Sequence, residues 1–138
     1  MATLKDYLNE KDRFAASNGC KIIEIKVGYA KAVMKVTNKH INGGNVCQGG
    51  AYFTLADIAI AAAINSHGTL TFGIQNNISF LKSAIEGDIL TAEAQEVVDH
   101  HRIPYVEARI TNQNSELICI VTGIGYRKGK SMPVDGLM

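Results

Sequence analysis

Asp57 is the residue with the strongest claim to chemistry in this chain. Between Lys39 and Lys82 it is the only Lys, Arg, Asp or Glu. It interrupts a run from Gly50 to Ser66 that is otherwise apolar, small or neutral. Ala51, Tyr52, Leu55, Ala56, Ala59, Ala62 and Ala63 recur at three- and four-residue steps, which places them on one helical face. A helix with apolar residues on every side is a buried helix. Asp57 is therefore expected in or beside the core, where an unpaired carboxylate is costly. Just ahead, Gly49-Gly50 opens the helix. The first N–H groups of a helix lack internal partners and carry the positive end of its dipole. They suit an oxyanion or a polarised carbonyl oxygen. Such donors, with a lone acid about two turns inside, form half of an acyl-transfer site. A structural role stands beside that one: glycines mark turns everywhere, and Asp57 could be held by the hydroxyl of Thr54 or Tyr52.

Other elements have to hold this unit in place. Residues 3–17 read as one amphipathic helix, with Leu4, Tyr7, Leu8, Phe14 and Ala15 on a face, Thr3 as its cap and Asp6 behind it. Asn18-Gly19 ends it. Residues 21–27 and 30–36 alternate as a hairpin turned at Gly28-Tyr29. Residues 37–47 form a loop leading into the glycines. After the helix, Asn65-Ser66-His67-Gly68 turns the chain into strands at 70–81, 88–98, 102–111 and 117–126, the last pair joined through Asn112-Gln113-Asn114-Ser115. Pro104 marks a strand start or an edge. Arg127-Lys128-Gly129-Lys130 is a small basic cluster, and residues 131–138 read as a loose tail. The expectation is one domain over 1–138, of α+β class, with an antiparallel sheet wrapped around a long central helix.

Composition narrows the function classes. The 138 residues are 46% apolar and 20% charged, with a formal charge of +1, so nothing favours nucleic acid, which wants a basic patch. Cys20, Cys47 and Cys119 are odd in number and spaced unlike a disulfide framework or zinc site, which points to a reducing, cytoplasmic setting. The charged N-terminal stretch excludes a secretory signal. The apolar run at 51–64 is shorter than the about 20 residues that span a bilayer. Cys47 sits beside a helix N-terminus that could lower its pKa, but no base is fixed near it, and a thiol nucleophile is not expected. His40 and His67 read as loop or surface histidines.

The string Asn42-Gly43-Gly44-Asn45-Val46-Cys47-Gln48-Gly49-Gly50, followed by Leu55-Ala56-Asp57-Ile58-Ala59, resembles the signature of the hotdog-fold acyl-CoA thioesterases, nearest to the phenylacetate-degradation (PaaI-like) branch. The likeness continues through Asn77-Ile78-Ser79-Phe80-Leu81-Lys82 and Gly87-Asp88 and covers most of the chain. It implies a hydrolase acting on acyl-CoA thioesters, with aryl-acetyl or other small to medium acyl groups. Asp57 would be general base or nucleophile, Gly49 would give the N–H that polarises the carbonyl, and Asn42 would orient the thioester or its loop. Gln48 stands where that branch has His; an amide can donate to a carbonyl oxygen but takes up no proton near neutral pH. Many relatives carry a hydroxyl on the next strand where Gly73 aligns, with Thr71 and Gln75 as nearby substitutes. Substrate contacts are expected from Gly50, Tyr52, Phe53 and Phe80, and phosphate contacts from Lys82, Arg102 and Lys128, with Arg127 and Lys130 as further candidates. CoA enters as part of the substrate; no other cofactor and no metal is expected.

Two other readings remain open. Gln48 and Gly73 favour a non-catalytic acyl-CoA binding or sensing protein. A hydratase of similar fold is weaker, because the paired His and Asp it needs are not evident. The resemblance implies a homodimer or a dimer-of-dimers tetramer with sites at a subunit interface. Geometry adds to this. Asp57 is eight residues beyond Gly49, about 12 Å along a helix. One subunit's mouth and its own acid cannot grip the same carbonyl carbon, which needs reacting atoms about 3–3.5 Å apart.

Overall fold

A computed structural model describes residues 2–138. The strands are β1 (Lys21–Lys26), β2 (Tyr29–Lys35), β3 (Thr69–Phe80), β4 (Ile89–Val98), β5 (Tyr105–Thr111) and β6 (Leu117–Ser131). They form one antiparallel sheet in the order β1-β2-β4-β5-β6-β3. The helices are α1 (Leu4–Lys11), α2 (Arg13–Ser17) and α3 (Gly49–Asn65), with a 3-10 turn at Asn38–His40. This is the expected α+β arrangement, with the sheet curled around α3.

Small side chains on both surfaces let the helix lie close. The sheet offers Ala30, Ala32, Ala92, Ala94 and Ala108, all fully buried, and the helix meets it with Ala56, Ala59, Ala62 and Ala63. Leu55, Ile58 and Ile64 fill the spaces between them. Each such side chain contributes about 1.5–3 kcal/mol through burial. Gly125 on β6 marks a tight approach. A Cβ there would meet Thr71 Cγ2 at 2.9 Å and Ile64 Cδ1 at 3.1 Å.

Five expectations are corrected. The N-terminal helix is two helices, because Asp12 leaves helical geometry (φ −81°, ψ 83°) and its carboxylate accepts the Ala15 N–H at 3.0 Å, capping α2. The hairpin turns at Val27-Gly28, where Gly28 takes φ +75° at no steric cost. β5 starts at Tyr105, just beyond Pro104, and β6 runs through the basic cluster to Ser131. The tail is pinned rather than loose. Gly136 and Leu137 carbonyls accept the Leu4 and Lys5 N–H groups, Asp135 N–H reaches the Ala2 carbonyl, and Met132 is buried.

Candidate active site

The site grows from the mouth of α3. Gln48 is the N-cap (φ −70°, ψ 138°), and its Oε1 accepts the Gly50 N–H at 2.5 Å. Its own N–H donates to the His40 carbonyl at 2.7 Å, and its carbonyl accepts the Ala51 N–H. That leaves the Gly49 N–H without an acceptor among the described residues. Gly49 is small for a reason: a Cβ would meet the Phe80 ring at 3.0 Å. Asn42 organises the loop in front. Its Oδ1 accepts the N–H groups of Gly44 at 2.8 Å and Val46 at 3.3 Å, leaving its amide N–H donors for another partner.

Asp57 does not lie in the core. The sheet covers α3 on its other sides but leaves a stripe of Gly50, Phe53, Thr54, Asp57 and Ala61, and Asp57 is the exposed charge on it. The chain still strips water from it. Burial raises its pKa, and the nearby Asp12 carboxylate adds to the rise. Neither hydroxyl weighed as a structural partner holds it. Thr54 Oγ1 donates to the Gly50 carbonyl at 2.8 Å, and the Tyr52 hydroxyl oxygen accepts the Ala84 N–H at 2.8 Å. Among the described residues nothing hydrogen-bonds or ion-pairs with the Asp57 carboxylate.

The expected substrate contacts divide among three places. Gly49, Tyr52, Phe80 and Lys82 line one cleft of about 340 Å³, where the Tyr52 and Phe80 ring centroids are 6.0 Å apart. Gln48, Gly50 and Phe53 line a second, of about 370 Å³, with Phe14 from α2 and Thr54. Arg102 and Lys128 lie in a third, of about 360 Å³, with Tyr126, Arg127 and His101. Within one chain the structure does not bring these last two to the helix mouth. Lys82 is already paired with Glu116. Arg127 is largely buried, 2.6 Å from Asp99, in a network where His67 Nε2 contacts Glu96. His67, Glu96 and Asp99 have spacing that could hold a cation. Arg127 already supplies the positive charge there.

Cys47 is buried beside Tyr52, and burial pushes its pKa up, which disfavours the thiolate. Neither Thr71 nor Gln75 comes within 4 Å of a Cβ at Gly73. Thr71 is buried with its hydroxyl donating to the Thr69 carbonyl, and Gln75 borders a separate pocket beside Tyr105. The polar side chain beside Gly73 is Asn76, which sequence reasoning passed over. Its Nδ2 would be 3.5 Å from a Gly73 Cβ, and its Oδ1 is buried without a partner among the described residues. A register shift between Gly73 and Gln75 places it there, and no sequence pattern announces such a bulge.

The model of the thioesterase superfamily matches residues 38–119. A putative esterase of Archaeoglobus fulgidus is 39% identical over 130 residues, 94% of this chain and 84% of that one. Acyl-coenzyme A thioesterase PaaI of Escherichia coli is 35% identical over 120 residues, 87% of this chain and 86% of its own. The solved structure of the E. coli PaaI protein superposes with a TM-score of 0.86 at 32% identity, covering 94% and 99% of the two chains. The structure of smu.793 from Streptococcus mutans bound to acetyl CoA gives 0.78 at 26% identity, over 82% and 91%.

Proposed function

We propose, for a chain that belongs to the thioesterase superfamily, hydrolysis of acyl-CoA thioesters to a free acid and CoA. The observation that carries the reading is one helix holding an unengaged N–H at its mouth and an unpartnered carboxylate further along. Gly49 N–H, with the free amide donors of Gln48, receives the carbonyl oxygen as it turns into an oxyanion. Water attacks the carbonyl carbon while Asp57 takes its proton, or Asp57 attacks first and water then opens the anhydride. In either order CoA leaves as the thiol. The raised Asp57 pKa brings the carboxylate nearer to the strength of base that works at neutral pH. Asn42 holds the loop that frames the mouth.

Acyl groups of small to medium size, aryl-acetyl among them, fit the clefts lined by Tyr52 and Phe80 and by Phe14 and Phe53. The CoA phosphates go to the cationic surface around Arg102 and Lys128, with Lys82 released from Glu116. The route needs no metal and no further cofactor. The working unit is a homodimer or a pair of dimers, in which one subunit's Asp57 faces the partner's helix mouth. Support comes from the uncovered stripe of α3 and from the open edge of β3.

A panel of phenylacetyl-CoA and short- and long-chain acyl-CoAs, followed by release of free thiol, tests the reading. Thiol release with at least one is expected. Tight binding of acyl-CoA with no release from any would establish the binding or sensing alternative, which the lack of a hydroxyl at Gly73 favours.

A further inference from the structure

His40 lies behind the mouth of α3 and takes no part in the reaction above. It is buried, at 7% exposure, and its ring bridges two backbone segments. Nδ1 faces the Thr37 N–H at 2.9 Å, with Thr37 Oγ1 at 3.3 Å. Nε2 faces the carbonyl of Asn18, the C-cap of α2, at 2.9 Å. An amide N–H can only donate and a carbonyl can only accept. These partners therefore assign a neutral ring with its proton on Nε2. The His40 carbonyl then receives the Gln48 N–H at 2.7 Å, and Gln48 Oε1 holds the Gly50 N–H. One continuous path thus joins the end of α2, the imidazole, the 3-10 turn and the N-cap of α3, directly before the free Gly49 N–H.

We propose that His40 is a positioning residue for thioester hydrolysis: its neutral imidazole sets the turn whose carbonyl fixes Gln48, and so the oxyanion-binding mouth of α3. The inference rests on the hydrolytic reading of that mouth. The ring borders two cavities, one lined by Lys35, Lys39 and Asn18, the other by Lys39, Gln48, Phe53 and Thr54. The charged groups facing it there are Lys35 and Lys39, both cations; neither cavity is lined by a carboxylate. Loss of the Nδ1 acceptor would leave the Thr37 N–H unpaired and free the turn whose carbonyl fixes Gln48.

Two substitutions separate the ring's bonds. In His40→Asn the amide oxygen can take the place of Nδ1 and keep Thr37, losing Asn18. In His40→Gln the amide N–H can take the place of Nε2 and keep Asn18, losing Thr37. His40→Gln is expected to lower kcat about tenfold or more with KM little changed, as misplacement of catalytic donors does. His40→Asn should retain more of the activity. In parallel, the amide resonances of Gly49 and Gly50 should move from their wild-type positions in His40→Gln and stay nearer to them in His40→Asn. Wild-type kcat in both variants, or Gly49 and Gly50 amides unmoved in His40→Gln, would overturn the proposal. A wild-type chain that hydrolyses no acyl-CoA would defeat the hydrolytic reading alone, and the amide shifts in the two variants would still decide whether His40 controls the mouth.

Discussion

Asp57 is held at a cost that no neighbour relieves, and that gives two expectations from one substitution. Asp57→Asn should lower thioester hydrolysis by about 100- to 10,000-fold, the usual range for a lost general base, with acyl-CoA binding kept. The same change should stabilise the fold at neutral pH. Burial and Asp12 raise the Asp57 pKa, so the folded chain binds this proton more tightly than the unfolded chain does. Stability from this group is then fully present below the unfolded value of about 3.9 and is lost as pH rises through the higher folded value. The variant should melt above wild type at pH 7, and the gap should close as pH falls below about 4. Equal melting temperatures at pH 7 would show that the carboxylate is not strained. Gln48 is a different case, because its oxygen caps α3 while its nitrogen is free to donate. Gln48→Ala should cost both turnover and, as cap losses commonly do, about 1 kcal/mol of stability. Gln48→His should keep or raise turnover. The wild-type rate should show no ionisation from residue 48. A His variant as slow as the Ala variant would mean that the pocket is built around an amide.

At the scale of elements, α3 was legible because seventeen residues of apolar and small side chains contain one charge and begin at a glycine pair. Which flank of that helix stays uncovered was not legible. An all-round apolar helix gives no sign of where a single sheet stops, so the sequence places Asp57 in or beside the core without choosing, and the structure puts it on an open stripe. The break at Asp12 was hidden because the apolar spacing runs across it, and an N-cap acid inside a helical pattern looks like any surface acid. The tail was hidden for another reason: its order comes from backbone bonds to α1, which leave no side-chain pattern. Gly125 shows what the close fit between elements demands. Gly125→Ala pushes a methyl group between Ile64 of α3 and Thr71 of β3, and overpacking of this kind costs about 1–3 kcal/mol. Urea denaturation should show a lower midpoint at an unchanged slope; an unshifted midpoint would mean that the two elements can part without loss.

The whole molecule treats its two sheet edges differently. β1 carries Lys21, Glu24 and Lys26, and α1 covers it: Asn9 bonds both the N–H and the carbonyl of Ile22 at 2.8 and 3.0 Å. The β3 edge has no such cover. Beyond Thr71 its outer backbone groups have no partner among the described residues, and Phe72, Ile74 and Phe80 are each more than half exposed. Unprotected edges of that length invite pairing with another chain. Mixing Asp57→Asn subunits with subunits disabled at Asn42 should therefore restore up to one working site per mixed dimer. No recovery after proven subunit exchange would show that each site belongs to one chain. The pinned tail has its own consequence. Residues 2–5 and 135–137 are hydrogen-bonded to one another, so the backbone nearly forms a closed ring whose opening point is a matter of choice. A circular permutant joined by a short linker across those ends and opened between Asn114 and Ser115 should fold with its site intact. Cutting there even frees Ser115 from its left-handed φ of 62°.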